Sequence, residues 1–318
     1  MGLLGSIRHG CRCLATNPGL LVLAWISNLA VALPFALAIG GGIDRSVGRS
    51  VIHEKLVAGF DFGWYGEYSH AARGLEATFR PGLSGVGAFF DNLEAWWTGG
   101  LFTGLPLLVG LGVLYAVLWA FLLGGALERF AGATASFGAS FDDRPSGLLV
   151  AGGRYLARFL GLSAVLAVGY YGVYKLARWG FGWLEESQRE QTVESAVLFR
   201  VLLGALVVVF LLLALRTVAD YAKVAIVTEG RRNVFSALAD GALFVVRHPG
   251  RTLGLTFAWV LFGALALALY AKLAPGVGQA SWTAVVWAFL VGQAALVVRF
   301  ALRLGLLAGE TRLYQERS

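Results

Sequence analysis

Six apolar stretches of about 20 residues recur along this 318-residue chain, and each can cross the roughly 30 Å hydrocarbon layer of a membrane. They lie near 19–41, 103–126, 158–176, 196–217, 253–273 and 282–304. The composition agrees, because 58% of the residues are hydrophobic and only 14% are charged. Charged residues make up about a quarter of an ordinary soluble domain. The sequence therefore predicts an all-α, polytopic membrane protein with six transmembrane helices, in which residues 1–318 form a single membrane domain.

The distribution of Arg and Lys predicts how these spans are oriented. Six spans place both termini on one side, and the segments that would share that side hold 16 of the 26 basic residues. Positive residues concentrate on the cytoplasmic side of membrane proteins. We therefore expect both termini in the cytoplasm. The alternative is that the first apolar stretch is a signal peptide cleaved after Ala36–Ala38.

An internal repeat is indicated by glycines and acidic residues at regular spacing. Gly152 and Gly241 are 89 residues apart, and the acids at the ends of the fourth and sixth spans, Asp220 and Glu310, are 90 apart. This spacing predicts three repeated hairpins, each preceded by a cytoplasmic interfacial helix and a sharp elbow. The elbows are expected at Pro18–Gly19, Leu160–Gly161 and Pro249–Gly250. The alternative is chance similarity in a chain with 43 glycines.

The first hairpin differs from the others by a long external segment, residues 43–100. Apolar residues recur every three or four positions through 83–97, which predicts a helix with one apolar face, and a weaker stripe predicts another helix over 65–80. We expect this external helical insertion either to lie on the protein's own bundle or in the outer headgroup layer, or to expose a docking face for a lipid, an acyl chain or a partner subunit. The candidate docking residues are Phe89, Phe90, Trp96 and Trp97.

Motifs for catalysis or metal binding are absent from the sequence. It has no nucleophile elbow, phosphate-binding loop, dinucleotide fingerprint or zinc-protease motif. His9, Cys11 and Cys13 could supply three soft ligands, but no fourth ligand accompanies them. We therefore expect no catalytic residue, no metal and no cofactor, and a protein that is not an enzyme.

Basic residues cluster near the inner end of the fourth span. Arg216, Asp220 and Lys223 fall on one helical face, and further basic residues follow within the next turns. Arginine-rich span ends suit anionic headgroups, because the guanidinium fork matches phosphate. The candidate lipid or anion ligands are Arg216, Lys223, Arg231, Arg232, Arg247 and Arg251. The alternative is ordinary inside-positive topology with a local Arg216–Asp220 ion pair.

The same region carries a family resemblance. The residues Asp220–Lys223, Glu229–Arg232 and Arg247–Pro249 resemble bacterial six-span membrane proteins of the YciC type and the membrane domain attached to some glycerophosphodiester phosphodiesterases. The resemblance covers mainly residues 220–275, and the long external insertion departs from the short loops of such proteins. It implies a bacterial inner-membrane location and says little about activity.

Two functions remain at this point. The first is a non-catalytic membrane protein that binds or organises lipid or a partner membrane complex, with membrane lipids, a partner membrane protein or a second copy as partners and no nucleic acid. The second is a transport or permease component with a pathway between the three hairpins. No ionisable residue lies near the centre of a span, which argues against ion-coupled transport. Asn28 and Gln293 are the deepest strongly polar residues, and we expect them to form interhelical hydrogen bonds.

The topology is testable with reporter fusions. Reporters at Ser318 and near Ser69 should report opposite sides of the membrane, because an odd number of spans separates these positions. Both reporters on the same side would contradict the six-span arrangement.

Overall fold

The computed structural model describes residues 2–48, 52–80, 94, 106–135, 145–188, 194–274 and 281–317. Within these residues the chain is all-α, with ten α-helices, one short 3-10 helix (Gly74–Thr78) and no strand. The α-helices are α1 (Leu3–Thr16), α2 (Pro18–Val47), α3 (Ile52–Ala58), α4 (Phe62–Ala71), α5 (Pro106–Ala135), α6 (Pro145–Ser187), α7 (Glu194–Thr228), α8 (Val234–Arg247), α9 (Pro249–Leu273) and α10 (Trp282–Gln315).

Six of these helices, α2, α5, α6, α7, α9 and α10, are long and apolar enough to cross a membrane. Each coincides with one of the six predicted stretches, so the prediction of six long apolar helices is confirmed. Helix α6 has 43 residues and α7 has 35, well beyond the roughly 20 that cross the hydrocarbon layer. None of the residues in the most apolar 18-residue window of α7 is buried within the protein. That surface suits contact with lipid tails.

The chain forms two compact units by its internal contacts. Unit 1 comprises Met1–Thr16, Ala120–Trp259 and Leu304–Ser318, and unit 2 comprises Asn17–Trp119 and Val260–Arg303. The single membrane domain and the insertion at 43–100 stay predictions.

In unit 1, glycines allow the first and the last helices to touch through their backbones. A Cβ atom on Gly10 of α1 would collide with the carbonyl oxygen of Gly305 on α10, and one on Gly309 would lie 3.0 Å from the carbonyl oxygen of Ser6. The Trp259 ring of α9 lies against Gly305. Small residues four apart on both helices are the arrangement by which membrane helices approach most closely. Helix α1 is therefore packed directly on α10.

Two further glycines of unit 1 make the same kind of contact. A Cβ on Gly152 of α6 would lie 2.7 Å from the carbonyl oxygen of Phe121 on α5, and one on Gly241 of α8 would lie 2.7 Å from the carbonyl oxygen of Val218 on α7. Gly152 and Gly241 are the glycines whose spacing indicated the repeat, and Gly10 of α1 makes the same kind of contact. All three occupy helix crossings that leave no room for a side chain. The threefold repeat itself stays a prediction.

The helix is interrupted at two of the three predicted elbows. Helix α1 ends before Asn17–Pro18, and α8 ends before His248–Pro249, because proline cannot continue a preceding helix without a clash. The elbow predicted at Leu160–Gly161 is wrong, since α6 runs unbroken from Pro145 to Ser187. No proline stands at this position, and a glycine inside a helix weakens it without ending it.

In unit 2, the helix predicted over 65–80 is correct only in its first half. Helix α4 ends at Ala71, the backbone is extended at Ala72 and Arg73, and Gly74 has a φ of +60°. A 3-10 helix then replaces the predicted second half. The apolar stripe still converges, because the rings of Tyr68 and Phe79 are 5.8 Å apart and Leu75 is buried.

Polar contacts attach this segment to α2. Arg45 forms an ion pair with Glu76, and the Trp64 indole donates a hydrogen bond to Ser46 Oγ at 3.0 Å. Between α2 and α10, the Trp25 indole donates to Gln293 Oε1 at 2.7 Å, which confirms the interhelical role predicted for Gln293. The helix predicted over 83–97 lies outside the described residues apart from Glu94.

Adjacent glycines in α6 give a matched test of the close crossings. Gly152→Ala should lower the free energy of unfolding by about 1–3 kcal/mol, because the new methyl group would overlap Phe121. Gly153→Ala, where nothing lies within 4 Å, should be neutral or stabilise by up to about 1 kcal/mol. Thermal unfolding in detergent measures both, and equal effects would show that the α5–α6 contact is loose.

Candidate functional site

Helix α8 has apolar residues on two opposite faces. Its buried face packs on α7 and consists of Ala237, Gly241, Phe244 and Val245. On its other side, Phe235 is 68% exposed, Val246 is 75% exposed, and Leu243 lies exposed between them. These three residues, which we call the α8 outer stripe, are eight and three positions apart and therefore lie on one side of the helix. A stripe of large apolar side chains that the protein does not cover marks a contact surface.

The elbow after α8 is built on the main chain of His248. Its N–H donates to the Phe244 carbonyl oxygen at 3.0 Å and so completes the last turn of α8. Its carbonyl oxygen accepts from the N–H groups of Arg251 and Thr252 and from the Thr252 hydroxyl, which caps the start of α9. The imidazole ring lies 5.0 Å from the Phe244 ring. The elbow is therefore a defined structure.

Arginines stand at both ends of α8. Arg232 precedes the helix, and Arg247 and Arg251 flank the elbow. All three are exposed, and the structure pairs none of them with an acidic side chain among the residues that it describes. Their charges therefore face outward beside the α8 outer stripe.

The other predicted anion ligands already contact acidic residues. Lys223 Nζ lies 2.8 Å from Asp220 Oδ1, and Arg216 Nε lies 3.9 Å from Asp220 Oδ2. Asp220 and Lys223 are almost completely removed from solvent, and a buried carboxylate requires such compensation. Lys223 and Arg216 therefore stabilise the buried carboxylate of Asp220 in unit 1.

Arg231 is engaged differently, at the surface. Its Nε atom lies 2.9 Å from Glu229 Oε2 and 3.0 Å from Asp240 Oδ2. The hydrogen bond to Glu229 and the charge of Asp240 raise the pKa of Arg231. Because Glu229 also accepts a hydrogen bond from the Tyr314 hydroxyl, this group joins the α7–α8 loop to α8 and α10.

Three buried residues of this region escaped the sequence analysis as site candidates. Glu310 is 0% exposed in α10, and Tyr221 is fully buried with its ring 4.9 Å from that of Phe244. Tyr314 completes the aromatic cluster, 4.8 Å from Phe244. The sequence did contain an indication that Glu310 is buried. Residues 304–308 are all apolar or glycine, so the helix has no polar side just before Glu310.

His9, Cys11 and Cys13 are not brought together as three ligands in the structure. His9 Nε2 lies 3.3 Å from Cys13 Sγ, whereas Cys11 is exposed. Burial raises the pKa of the Cys13 thiol to about 11, and burial with the nearby Arg312 and Arg12 lowers the pKa of His9. The described part of the chain has no group of three potential metal ligands. The docking candidates Phe89, Phe90, Trp96 and Trp97 lie outside the described residues.

Comparison with known proteins finds no match among family models, curated proteins or solved structures. The resemblance of residues 220–275 to YciC-type proteins therefore stays a prediction.

Lys223 offers a test of the buried ion pair. Lys223→Met should lower the free energy of unfolding by about 3 kcal/mol, because Asp220 would keep its buried charge without its nearest cation. The control Arg154→Met breaks an exposed pair with Glu128 and should cost less than about 1 kcal/mol. Denaturation in detergent measures both, and an equally small effect would mean that water reaches Asp220.

Proposed function

We propose that this chain is a non-catalytic integral membrane protein that binds anionic phospholipid through α8 and the arginines at its ends. The observation that carries the proposal is the coincidence of the α8 outer stripe with exposed Arg232, Arg247 and Arg251. A helix with these two features lies in the interface plane of a membrane, with apolar side chains at the acyl boundary and cations at the headgroups.

The attachment of α8 supports this arrangement. Gly241 brings α8 into backbone contact with α7, which is one of the six long apolar helices. An interfacial helix held directly on a membrane span meets the headgroup layer without further adjustment. Helix α1, packed on α10 by Gly10, is the corresponding interfacial helix of the first hairpin in this proposal.

The charge distribution favours the cytoplasmic side of a bacterial inner membrane for α8 and both termini. That side carries anionic lipid, and each Arg or Lys near such a surface contributes about 1 kcal/mol to binding. The pairing of Arg216, Lys223 and Arg231 with acids leaves Arg232, Arg247 and Arg251 as the headgroup ligands. In the same proposal, the six long helices form three hairpins of common origin, and the protein that they build binds lipid or organises a partner membrane complex.

Transport is a second candidate, favoured by the complete burial of Glu310 and Asp220. Ionisable residues inside membrane proteins often belong to ion pathways. Against it, Asp220 is already in contact with Lys223 and Arg216, which is a structural arrangement. Proteoliposomes that dissipate a pH gradient, and lose that property in Glu310→Gln, would favour transport over lipid binding.

The lipid proposal is tested by the variant Arg232→Gln/Arg247→Gln/Arg251→Gln. At about 1 kcal/mol per arginine, its affinity for phosphatidylglycerol should fall by about two orders of magnitude. Native mass spectrometry after extraction in mild detergent measures the lipid that remains bound.

The matched control removes three arginines that have partners, in Arg154→Gln/Arg158→Gln/Arg231→Gln. Arg154 is paired with Glu128, Arg158 lies over the Tyr155 ring, and Arg231 is paired with Glu229. The control has the same net charge as the test variant and should retain most of its lipid. Equal loss in both would show that net charge alone attracts the lipid.

A further inference from the structure

The two proline elbows of the chain share one backbone conformation. Asn17 has φ −129° and ψ 57°, and His248 has φ −130° and ψ 49°. Each is followed by proline as the first residue of a long apolar helix, and each carbonyl oxygen accepts a hydrogen bond from the N–H three residues ahead. The elbows can therefore be compared position by position.

The side chains at the two elbows differ in charge. The second elbow has Arg247 before His248 and Arg251 three residues after it, whereas the first has Thr16 and the buried Leu20 at the matching positions. Both elbows present a helix N-terminus, but only the second surrounds it with two exposed guanidinium groups. The charge is therefore a feature added to a shared backbone.

Nothing described within the protein neutralises this second elbow. Neither Arg247 nor Arg251 forms an ion pair with a described acid, and His248 Nδ1 is buried without a hydrogen-bond partner among the described residues. The imidazole ring contacts the Phe244 ring in a tilted arrangement, with the two ring centroids 5.0 Å apart. Arg247 and Arg251 are four positions apart around the elbow, and guanidinium groups are donors that match the oxygens of a phosphate.

We propose that the His248–Pro249 elbow binds the phosphate of an anionic phospholipid, with Arg247 and Arg251 as its donors. This inference rests on the lipid-binding function proposed above. It confines the contact with the phosphate to residues 247–251. Leu243 and Val246, exposed one turn away, extend the site toward the acyl chains, so the ligand is a lipid and not a soluble phosphate. Arg232 lies beyond the opposite end of α8, about 20 Å away along the helix, and cannot reach the same phosphate.

The test compares two double variants in nanodiscs of phosphatidylcholine with phosphatidylglycerol. Arg247→Gln/Arg251→Gln removes the elbow charges, and Arg231→Gln/Arg232→Gln removes the same charge at the other end of α8. We expect the elbow variant, which removes two proposed headgroup ligands, to lose about thirtyfold or more in phosphatidylglycerol affinity, and the other variant, which removes only Arg232 of that set, to lose about fivefold. Equal losses would overturn the elbow site while leaving lipid binding by α8 in place. No loss in either variant would overturn both.

Competition separates a lipid from a soluble ligand. Inorganic phosphate or glycerol phosphate at millimolar concentration should not displace phosphatidylglycerol, because these ions lack the acyl chains that contact the α8 outer stripe. Displacement by either ion would overturn the assignment to lipid.

A second measurement avoids any change of charge. A photo-crosslinking side chain at Val246, which is exposed, leaves both arginines in place. It should crosslink phosphatidylglycerol in preference to phosphatidylcholine when the two are equimolar. The same side chain at Phe235, near the other end of the stripe, should show less preference. Equal preference at both positions would contradict the elbow site.

Discussion

Direct contact between helix backbones is the constraint on which unit 1 depends. At Gly10, Gly152 and Gly241 a neighbouring carbonyl oxygen occupies the space where a Cβ would stand. Lipid tails compete with apolar side chains for the same surfaces, so membrane helices associate mainly by such close packing and by hydrogen bonds. The crossings fix the position of α1 on α10 and of α8 on α7. Every charged group on α8 takes its position from that contact.

The polar groups of unit 1 are arranged around these crossings. Asp220 lies on α7 between Val218 and Ala222, the residues that contact Gly241, and Lys223 follows directly; removal from water makes the pairing of Asp220 with Lys223 necessary. At the surface, Glu229 links Arg231 and Tyr314 and so attaches the α7–α8 loop to the last helix. Arg216, Lys223 and Arg231 are paired with acidic residues, whereas Arg232, Arg247 and Arg251 are exposed without a described acidic partner. The exposed set is what a ligand can contact.

The sequence predicted the elements whose signals are local. Apolar length gave the six long helices, and proline gave the elbows after Asn17 and His248, because a missing N–H and a ring clash act on adjacent residues. It failed at Leu160–Gly161, where glycine was taken to have the effect of proline. It also missed Glu310 as a buried residue, because burial depends on which helices surround α10, and spacing along one chain does not contain that information. Sequence spacing also could not tell which arginines are paired with acids. Only the structure shows that Arg216 is paired with Asp220 and that Arg251 has no described acidic partner.

The two elbows combine nearly the same backbone conformation with different side-chain charges. Asn17 and His248 have nearly the same backbone conformation, so this junction between two helices does not require a basic residue. Arg247 and Arg251 are unnecessary for the turn, and their exposed charges stabilise no described acid. A charged side chain that has no acidic partner in the protein is stable only where solvent or a ligand compensates its charge. At an elbow next to an exposed apolar stripe, the compensating group that we propose is the headgroup of an anionic lipid, because it accounts for both the charge and the apolar surface.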